Sequence, residues 1–508
     1  MTSVGGEANL STLDTRAPQR RATDPGHQWR TPQGLRVAIV HDYLTQRGGA
    51  ERVVLSLMQA FPGARLVTSV YNPEMTFPEF RDYEVETTWL DRVGTFRKDP
   101  RRAMPLLPVV FSGVQLDDVD VVICSSSGWA HGVRSPAPKL VYCHTPARWL
   151  YEPQQYVEQH GSAVRLMVKT LSPYLKWWDR KAAGSVTTYL ANSTIVAKRI
   201  QQEYGVAAEV LPPAITIDAA GDQEPVEDLE PGFLLTVSRA RGYKNVGFVC
   251  EAVESLPGER LVVVGGLPER EGTTEPWSTR LRGETGVSDA QLRWLYDNCA
   301  AVVAASHEDF GLTPLEGNTF GRPAVVLRAG GFLDTMVEGR TGCFIEELTE
   351  TAVRQAILNL RALGLDRAEI TAHAECYGFE AFTGALISKC ELALTARGLD
   401  PYPVPGPMPA YDRRAPHDNL KTLRRPLTVA VSLLALLGVA AGVGASQQTG
   451  PWGQVLLAVS GGLAVATAAL GRLRFVLRRR NAGSIRPLPP RPFTPPEGRA
   501  QDKVVQLR

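Results

Sequence analysis

The sequence of 508 residues lacks several features that would assign it to a class directly. Its net charge is +2 at pH 7, so it has no basic excess with which to bind nucleic acid. The seven cysteines are scattered and form no C-x-x-C pair, which indicates neither a zinc site nor a disulfide scaffold and favours a reducing compartment. No cluster of histidine, cysteine and aspartate has metal-ligand spacing, so we expect no bound metal.

Charge is absent from two apolar stretches near the carboxyl end. Leu427 to Ala445 is an uncharged run of 19 residues, which as a helix would be about 28 Å long and would span a bilayer core. A second run extends from about Trp452 to Gly471. Basic residues flank the pair on both sides, which predicts a transmembrane hairpin over residues 424–475 with both flanks in the cytoplasm. The alternative is two buried helices of a soluble domain.

The two ends of the sequence have little apolar content. Residues 1–34 contain no apolar core of the length that a secretory signal requires, and we expect them to form a disordered tail. Residues 481–508 are rich in proline and are also expected to be disordered, because proline cannot sustain a helix or a sheet ladder.

Between these ends, short apolar runs alternate with helical patterns. This alternation predicts an α/β fold with two Rossmann-like, doubly wound domains, at residues 35–215 and 231–376, followed by a helix at 377–396. An acidic stretch between the domains is the expected linker. The predicted strands are Leu35–Val40, Leu66–Val70, Val119–Cys124, Lys139–Cys143, Phe233–Ser238, Leu261–Gly265, Ala300–Ala305 and Pro323–Leu327.

Two carboxylates, Glu308 and Glu316, follow the apolar run Ala300–Ala305 and a glycine-marked turn. Ligands bind outside the carboxyl ends of parallel strands, and a helix N-terminus there attracts phosphate. The segment therefore indicates a site for a sugar nucleotide. The alternative is structural, because Thr313 and Glu316 have the spacing of a helix capping box, with Pro314 at the first helical position.

The string from His307 to Gly317, with Gly321-Arg-Pro-Ala-Val325 and Ala329-Gly-Gly-Phe-Leu-Asp334, resembles the donor-binding stretch of glycosyltransferase family 4. These are retaining enzymes with the GT-B fold. The resemblance covers roughly residues 35–396. It implies two Rossmann-like domains facing a cleft, with the helix at Phe379–Ala396 crossing back to the first domain. It also implies sugar transfer on one face of the ring, and the lack of metal-ligand spacing adds the expectation that this transfer is metal-independent. We expect no cofactor, the nucleotide diphosphate sugar being a co-substrate.

The resemblance assigns roles to residues of the C-terminal domain. It implies that Arg239 and Lys244 bind the donor diphosphate, that Glu308 contacts the transferred sugar, and that Glu316 accepts hydrogen bonds from the ribose. Taken alone, Arg239 and Lys244 would be better explained as part of a solvated basic loop, and it is the resemblance that favours phosphate binding. Backbone N–H groups are expected to complete the donor site at Phe310, Gly311, Leu312 and Thr313.

Residues of the N-terminal domain complete the predicted site. Gly48 and Gly49 form a turn that opens a helix, and the resemblance places this turn beside the donor phosphates. His144 follows a predicted strand, and the family carries a histidine at this element near the reacting sugar. Arg148 is predicted to contact the phosphate or the acceptor. His131 is a weaker candidate.

These observations predict a membrane-anchored hexosyltransferase, with mannose as one candidate sugar. The expected partners are a nucleotide sugar donor, a lipid-linked or cell-envelope glycan acceptor and the membrane, but no nucleic acid. The expected location is the inner, or cytoplasmic, membrane, with the catalytic domains and both termini facing the cytoplasm. The alternative is a non-catalytic nucleotide-sugar-binding scaffold of a membrane assembly that builds glycans.

Overall fold

The computed structural model describes residues 34–100, 103, 106–152, 162–238, 244–270, 275–399 and 401. The predicted tails apart from Gly34, the predicted transmembrane hairpin and Arg239 lie outside these residues. Among the helices that are described, none has both the length and the apolar character needed to cross a bilayer. All seven cysteines are free thiols.

The first sheet has seven parallel strands in the order β3-β2-β1-β4-β5-β6-β7. Its central strands are buried on both faces and rich in β-branched residues, as expected for a parallel sheet covered by helices. The strands are β1 Val37–His41, β2 Arg65–Thr68, β3 Val85–Thr87, β4 Val121–Ser126, β5 Lys139–Cys143, β6 Thr188–Ala191 and β7 Ala208–Val210.

The second sheet has six parallel strands in the order β10-β9-β8-β11-β12-β13. Its strands are β8 Leu234–Val237, β9 Leu261–Val264, β10 Leu281–Glu284, β11 Ala301–Ala304, β12 Ala324–Leu327 and β13 Gly342–Ile345. In both sheets the strand order reverses at the centre, beside β1 and β8, which is where doubly wound folds bind ligands. The prediction of two Rossmann-like domains is confirmed, and the predicted strands agree with the observed ones within two residues.

Helices connect the strands in both halves. In the first half the α-helices are Gly49–Ala60, Gly94–Lys98, Leu107–Gly113, Arg148–Tyr151, Ser162–Ala183 and Thr194–Tyr204, with short 3-10 helices at Pro78–Asp82, Trp89–Arg92 and Ala130–Gly132. In the second half they are Val246–Glu254, Asp289–Asn298, Leu312–Thr319, Phe332–Thr335, Glu350–Ala362, Arg367–Glu375 and Phe379–Thr395.

The helix Phe379–Thr395 belongs to the second half in sequence but packs against the first sheet. Phe382 and Leu386 are buried in the same core as residues of β1, β4 and β5. The ring of Phe382 meets that of Tyr142 edge to face at 5.8 Å. The helix therefore lies where the family resemblance implies a crossing helix.

Candidate active site

Three polar residues lie at the carboxyl ends of the neighbouring strands β1, β4 and β5. His41 ends β1 and is paired in register with Ser125 of β4, and His144 directly follows β5. His144 Nε2 lies 2.8 Å from Ser125 Oγ, which is itself 3.1 Å from His41 Nδ1. The sheet order thus brings His144 into a continuous hydrogen-bonded row.

The two histidines of this row have opposite pKa shifts. Burial and the nearby His41 lower the pKa of His144 to about 3, so its imidazole is neutral at physiological pH. Burial also opposes protonation of His41, but the Glu51 carboxylate, 3.8 Å from His41 Nε2, outweighs it and the pKa of His41 is raised. A neutral His144 donates a hydrogen bond at one ring nitrogen and accepts one at the other.

Asp42 anchors the loop that follows β4. Its carboxylate accepts hydrogen bonds from the backbone N–H groups of Ser127 at 2.7 Å, Trp129 at 3.0 Å and Ala130 at 2.7 Å. A buried carboxylate needs such donors, because burying a charge without partners is costly. This clamp fixes the loop next to Ser125 and His144.

Glu308 and Lys244 come together in the second half. Lys244 Nζ donates a hydrogen bond to Glu308 Oε1, which also accepts one from Ser306 Oγ at 2.6 Å. The side chains of Lys244 and Glu308 are 19% and 21% exposed, so the pair remains open to a ligand. The structure therefore places two of the predicted donor-site residues in direct contact.

The backbone of Glu308 is held by two glycines that follow β12. Gly331 N–H donates to the Glu308 carbonyl at 2.8 Å. Gly330 has a φ of +63°, and a Cβ added there would lie 2.3 Å from the same carbonyl oxygen. Only glycine allows this close approach, which fixes the position of Glu308 relative to the second sheet.

Arg148 and Asp309 connect the two halves of the molecule. Asp309, next to Glu308, pairs with Arg148 and with Arg199 of the helix Thr194–Tyr204. Arg199 also lies 3.5 Å from Thr145 Oγ1, beside His144. The loops that carry His144 and Glu308 therefore meet at one ion-pair cluster. Arg148 was predicted to contact phosphate or acceptor, and here it binds a carboxylate.

Glu316 lies in the helix Leu312–Thr319 and accepts a hydrogen bond from Tyr296 Oη at 2.6 Å. The helix starts at Leu312 after Gly311, which has a φ of +90° and provides no side-chain cap. The capping-box interpretation of Thr313 and Glu316 was therefore wrong. Glu316 is oriented by a buried tyrosine of another helix, Asp289–Asn298.

The remaining predicted residues of the first half have different surroundings. Gly48 precedes the helix Gly49–Ala60, and a Cβ at Gly48 would lie 2.4 Å from Glu51 Oε2, whereas one at Gly49 would meet no atom within 4 Å. His131 is 1% exposed with its Nε2 2.9 Å from Asp179 Oδ1. This burial favours a structural role for His131.

The remaining residues predicted to bind the donor lie at the start of the helix Leu312–Thr319 or outside the described residues. Phe310 is 5% exposed and its ring lies 6.0 Å from that of Tyr377. The predicted contact of its backbone N–H with the donor stays a prediction. Leu312 and Thr313 form the first turn of their helix, where N–H groups have no partner within the helix. Arg239 falls outside the described residues, and its predicted phosphate contact stays a prediction.

Four residues of this region had no role predicted from the sequence: Ser125, Asp42, Arg199 and Asp309. The order of parallel strands could have indicated Ser125, since the end of β4 must lie beside the end of β5. The sequence around Arg199 does not indicate its position at the site, because its helix lies beside Asp309 only as a result of the packing of the two halves. Asp309 stands next to Glu308, but its partners come from distant positions in the sequence.

Within the part of the chain that the structure describes, no group of three or more histidine, cysteine or acidic side chains is arranged to hold a metal ion. The pair Asp118 and Asp120 is separated by one residue, but each carboxylate binds an arginine. Asp118 pairs with Arg65 at 2.6 Å, and Asp120 pairs with Arg36 at 2.6 Å.

Family comparisons agree with this arrangement of two halves. The model described as "Glycosyltransferase Family 4" matches residues 47–219, and the one described as "Glycosyl transferases group 1" matches residues 231–362. The chain belongs to glycosyltransferase family 4. The predicted enzyme class, a glycosyltransferase of this family, is confirmed.

Individual relatives match different shares of the chain. The human alpha-1,3/1,6-mannosyltransferase ALG2 is 24% identical over 397 residues, which cover 67% of this chain and 92% of that protein. The D-inositol 3-phosphate glycosyltransferase of Acidothermus cellulolyticus is 28% identical over 215 residues, or 36% of this chain and 48% of that protein. The structure of sucrose-phosphate synthase from Thermosynechococcus elongatus superimposes with a TM-score of 0.52 at 15% identity, covering 71% of this chain and 99% of that one. This similarity shows a shared fold.

Proposed function

We propose that the protein transfers a hexose from a nucleotide diphosphate sugar to a hydroxyl of a lipid-linked or cell-envelope glycan. Mannose is one candidate sugar, in line with the mannosyltransferase among the relatives. We place the enzyme at the inner, or cytoplasmic, membrane, anchored by the predicted hairpin with its catalytic domains and termini in the cytoplasm. Anchoring would raise its concentration near a lipid-borne acceptor.

The observation that carries the proposal is the contact of Lys244 with Glu308 beside the ion pairs that join the two halves. Lys244 supplies a positive charge for the departing diphosphate, with Arg239 as the predicted second cation. Glu308 supplies a carboxylate that accepts hydrogen bonds from sugar hydroxyls. In the donor complex the phosphate replaces Glu308 as a partner of Lys244, which leaves the carboxylate for the sugar.

The proposed transfer retains the configuration of the sugar carbon. The bond from this carbon to the diphosphate oxygen breaks, the bond to the acceptor oxygen forms on the same face, and the acceptor proton passes to the departing phosphate. Glu308 therefore acts as a positioning carboxylate and not as the nucleophile of a retaining hydrolase. Glu316 holds the ribose, and no metal takes part in the proposed reaction.

Replacement of Glu308 by Gln tests the assignment. The amide keeps the size of the side chain but loses the charge that orders sugar hydroxyls. We expect kcat/KM to fall by about 100-fold or more, on the scale measured for removal of one preorganised polar group. The matched control is Glu347→Gln, since Glu347 is exposed on a surface turn.

The assay begins with thermal-shift titration of full-length protein against guanosine- and uridine-diphosphate hexoses, because a ligand of the native state raises the melting temperature. Transfer to lipid-linked oligosaccharides is then followed with the donor that binds. Unchanged turnover in Glu308→Gln would overturn the role of Glu308. Donor binding by the wild type without transfer to any acceptor would favour the scaffold.

A further inference from the structure

The hydrogen-bonded row of His41, Ser125 and His144 determines which ring nitrogens of the two histidines carry a proton. His41 Nδ1 lies 3.0 Å from the carbonyl oxygen of Ser125 and 3.1 Å from its Oγ. A carbonyl oxygen can only accept, so His41 Nδ1 must carry a proton and donate it. The hydroxyl oxygen of Ser125 shares this donation.

Ser125 has one proton to give, and a single partner remains for it. His144 Nε2 lies 2.8 Å from Ser125 Oγ. Since His41 already donates to this oxygen, the hydroxyl proton is directed to His144 Nε2, which acts as the acceptor. The proton of the neutral His144 ring must then be on Nδ1.

Glu51 stabilises His41 as the hydrogen-bond donor to Ser125. It is 1% exposed, and its Oε1 lies 3.8 Å from His41 Nε2. Its Oε2 has no hydrogen-bond partner among the described residues. A buried carboxylate beside His41 favours a proton on Nε2 in addition to the one on Nδ1, so His41 remains a donor to Ser125.

His144 has its Nδ1 left for a ligand. Its Nε2 is hydrogen-bonded to Ser125 Oγ, and its ring meets that of Tyr142 edge to face at 5.3 Å. Its backbone is fixed independently, because its N–H donates to Ser126 and its carbonyl accepts from Asn192 Nδ2 at 3.1 Å. The ring is therefore oriented from one side.

We propose that Ser125 and His41 are positioning residues that hold His144 in its Nδ1–H tautomer, so that the ring meets the bound sugar nucleotide as a hydrogen-bond donor. The inference rests on the proposed function and specifies the part that His144 takes in it. It excludes His144 as a general base for the acceptor hydroxyl, because a nitrogen that carries a proton cannot accept another.

Two replacements of His144, by asparagine and by glutamine, distinguish a hydrogen bond donated by Nδ1 from one donated by Nε2. An asparagine amide nitrogen occupies approximately the place of Nδ1, whereas a glutamine amide nitrogen reaches the place of Nε2. We expect His144→Asn to keep kcat/KM within about tenfold of the wild type and His144→Gln to fall at least tenfold lower, since one hydrogen bond is at stake. The reverse order would overturn the proposal.

Ser125→Ala tests the positioning residue. Without the hydroxyl, the His144 ring has no partner that selects its tautomer, and we expect kcat/KM to fall by about tenfold. Nitrogen-15 NMR of histidine-labelled full-length protein should show His144 as the Nδ1–H tautomer in the wild type and as a mixture of tautomers in Ser125→Ala. Ser56→Ala, another buried serine that bonds within its own helix, is the control.

The NMR measurement needs no turnover, so the two proposals can fail separately. A wild-type His144 found as the Nε2–H tautomer would overturn this inference while leaving sugar transfer intact. Absence of transfer with the predicted tautomer in place would instead overturn the proposed function. A tautomer that is unchanged in Ser125→Ala would remove Ser125 from the positioning role.

Discussion

Gly330 offers a test of how the position of Glu308 depends on the backbone around it. An alanine Cβ at this position would lie 2.3 Å from the Glu308 carbonyl oxygen, where ordinary contacts begin at 3.4 Å. The opposing atom belongs to the main chain, so no side-chain rotation relieves the overlap. Gly330→Ala therefore forces the two segments roughly 1 Å apart, in addition to the cost of about 1–2 kcal/mol for an alanine in the left-handed region.

A displacement of roughly 1 Å in a reacting site costs on the order of 100-fold in rate. We expect Gly330→Ala to lower kcat by about that factor and to lower the melting temperature by several degrees. Initial rates of sugar transfer and thermal unfolding curves measure the two effects. The thermal measurement does not depend on the identity of the donor.

Gly247→Ala is the matched control. Gly247 lies in the helix Val246–Glu254, and a Cβ there meets no atom within 4 Å. Alanine is favoured over glycine in a helix by about 1 kcal/mol, so this variant should be as active as the wild type and no less stable. If Gly330→Ala matched this control in both rate and melting temperature, the contact with Glu308 would not position that residue.

Two further predictions concern charge. Asp309→Asn removes the negative charge that Arg148 and Arg199 share, and we expect the free energy of unfolding to fall by about 1–3 kcal/mol. Unfolding in urea measures this loss against the surface control Asp222→Asn. Equal stability of the two variants would show that the charge of Asp309 does not stabilise the fold. The pKa of His144 is lowered from 6.5 to about 3. Below pH 6.5 the unfolded chain therefore binds a proton at this residue that the native state does not bind. The free energy of unfolding consequently decreases as the pH is lowered. Between pH 6.5 and 5, His144→Asn should therefore lose less stability than the wild type by about 1.6 kcal/mol, and equal losses would contradict the shift.

The fold was predictable because its strands have a local signature. β9, β11 and β12 are short, largely buried runs of valine, leucine and alanine, each followed by a glycine-rich or polar turn. Such runs identify parallel strands without any knowledge of distant contacts. The boundaries of the domains and the membrane hairpin remain predictions.

The site was predictable only where its residues adjoin a strand end. His144 and Glu308 follow β5 and β11 closely, so the order of parallel strands alone places them at the edge of each sheet where ligands bind. The pairing of Asp309 with Arg199 depends on the packing of two halves, which no local pattern encodes. The start of the helix at Leu312 was missed because Gly311, in a left-handed conformation, replaced the expected threonine cap.

The helix Phe379–Thr395 has a consequence for biosynthesis. Its buried residues Phe382, Leu386, Cys390 and Leu394 complete the apolar core around β1, although they are made more than 300 residues later. During translation the N-terminal half therefore leaves the ribosome with one apolar flank uncovered. Because exposed apolar surface promotes aggregation, this half should depend on chaperones until the late helix docks.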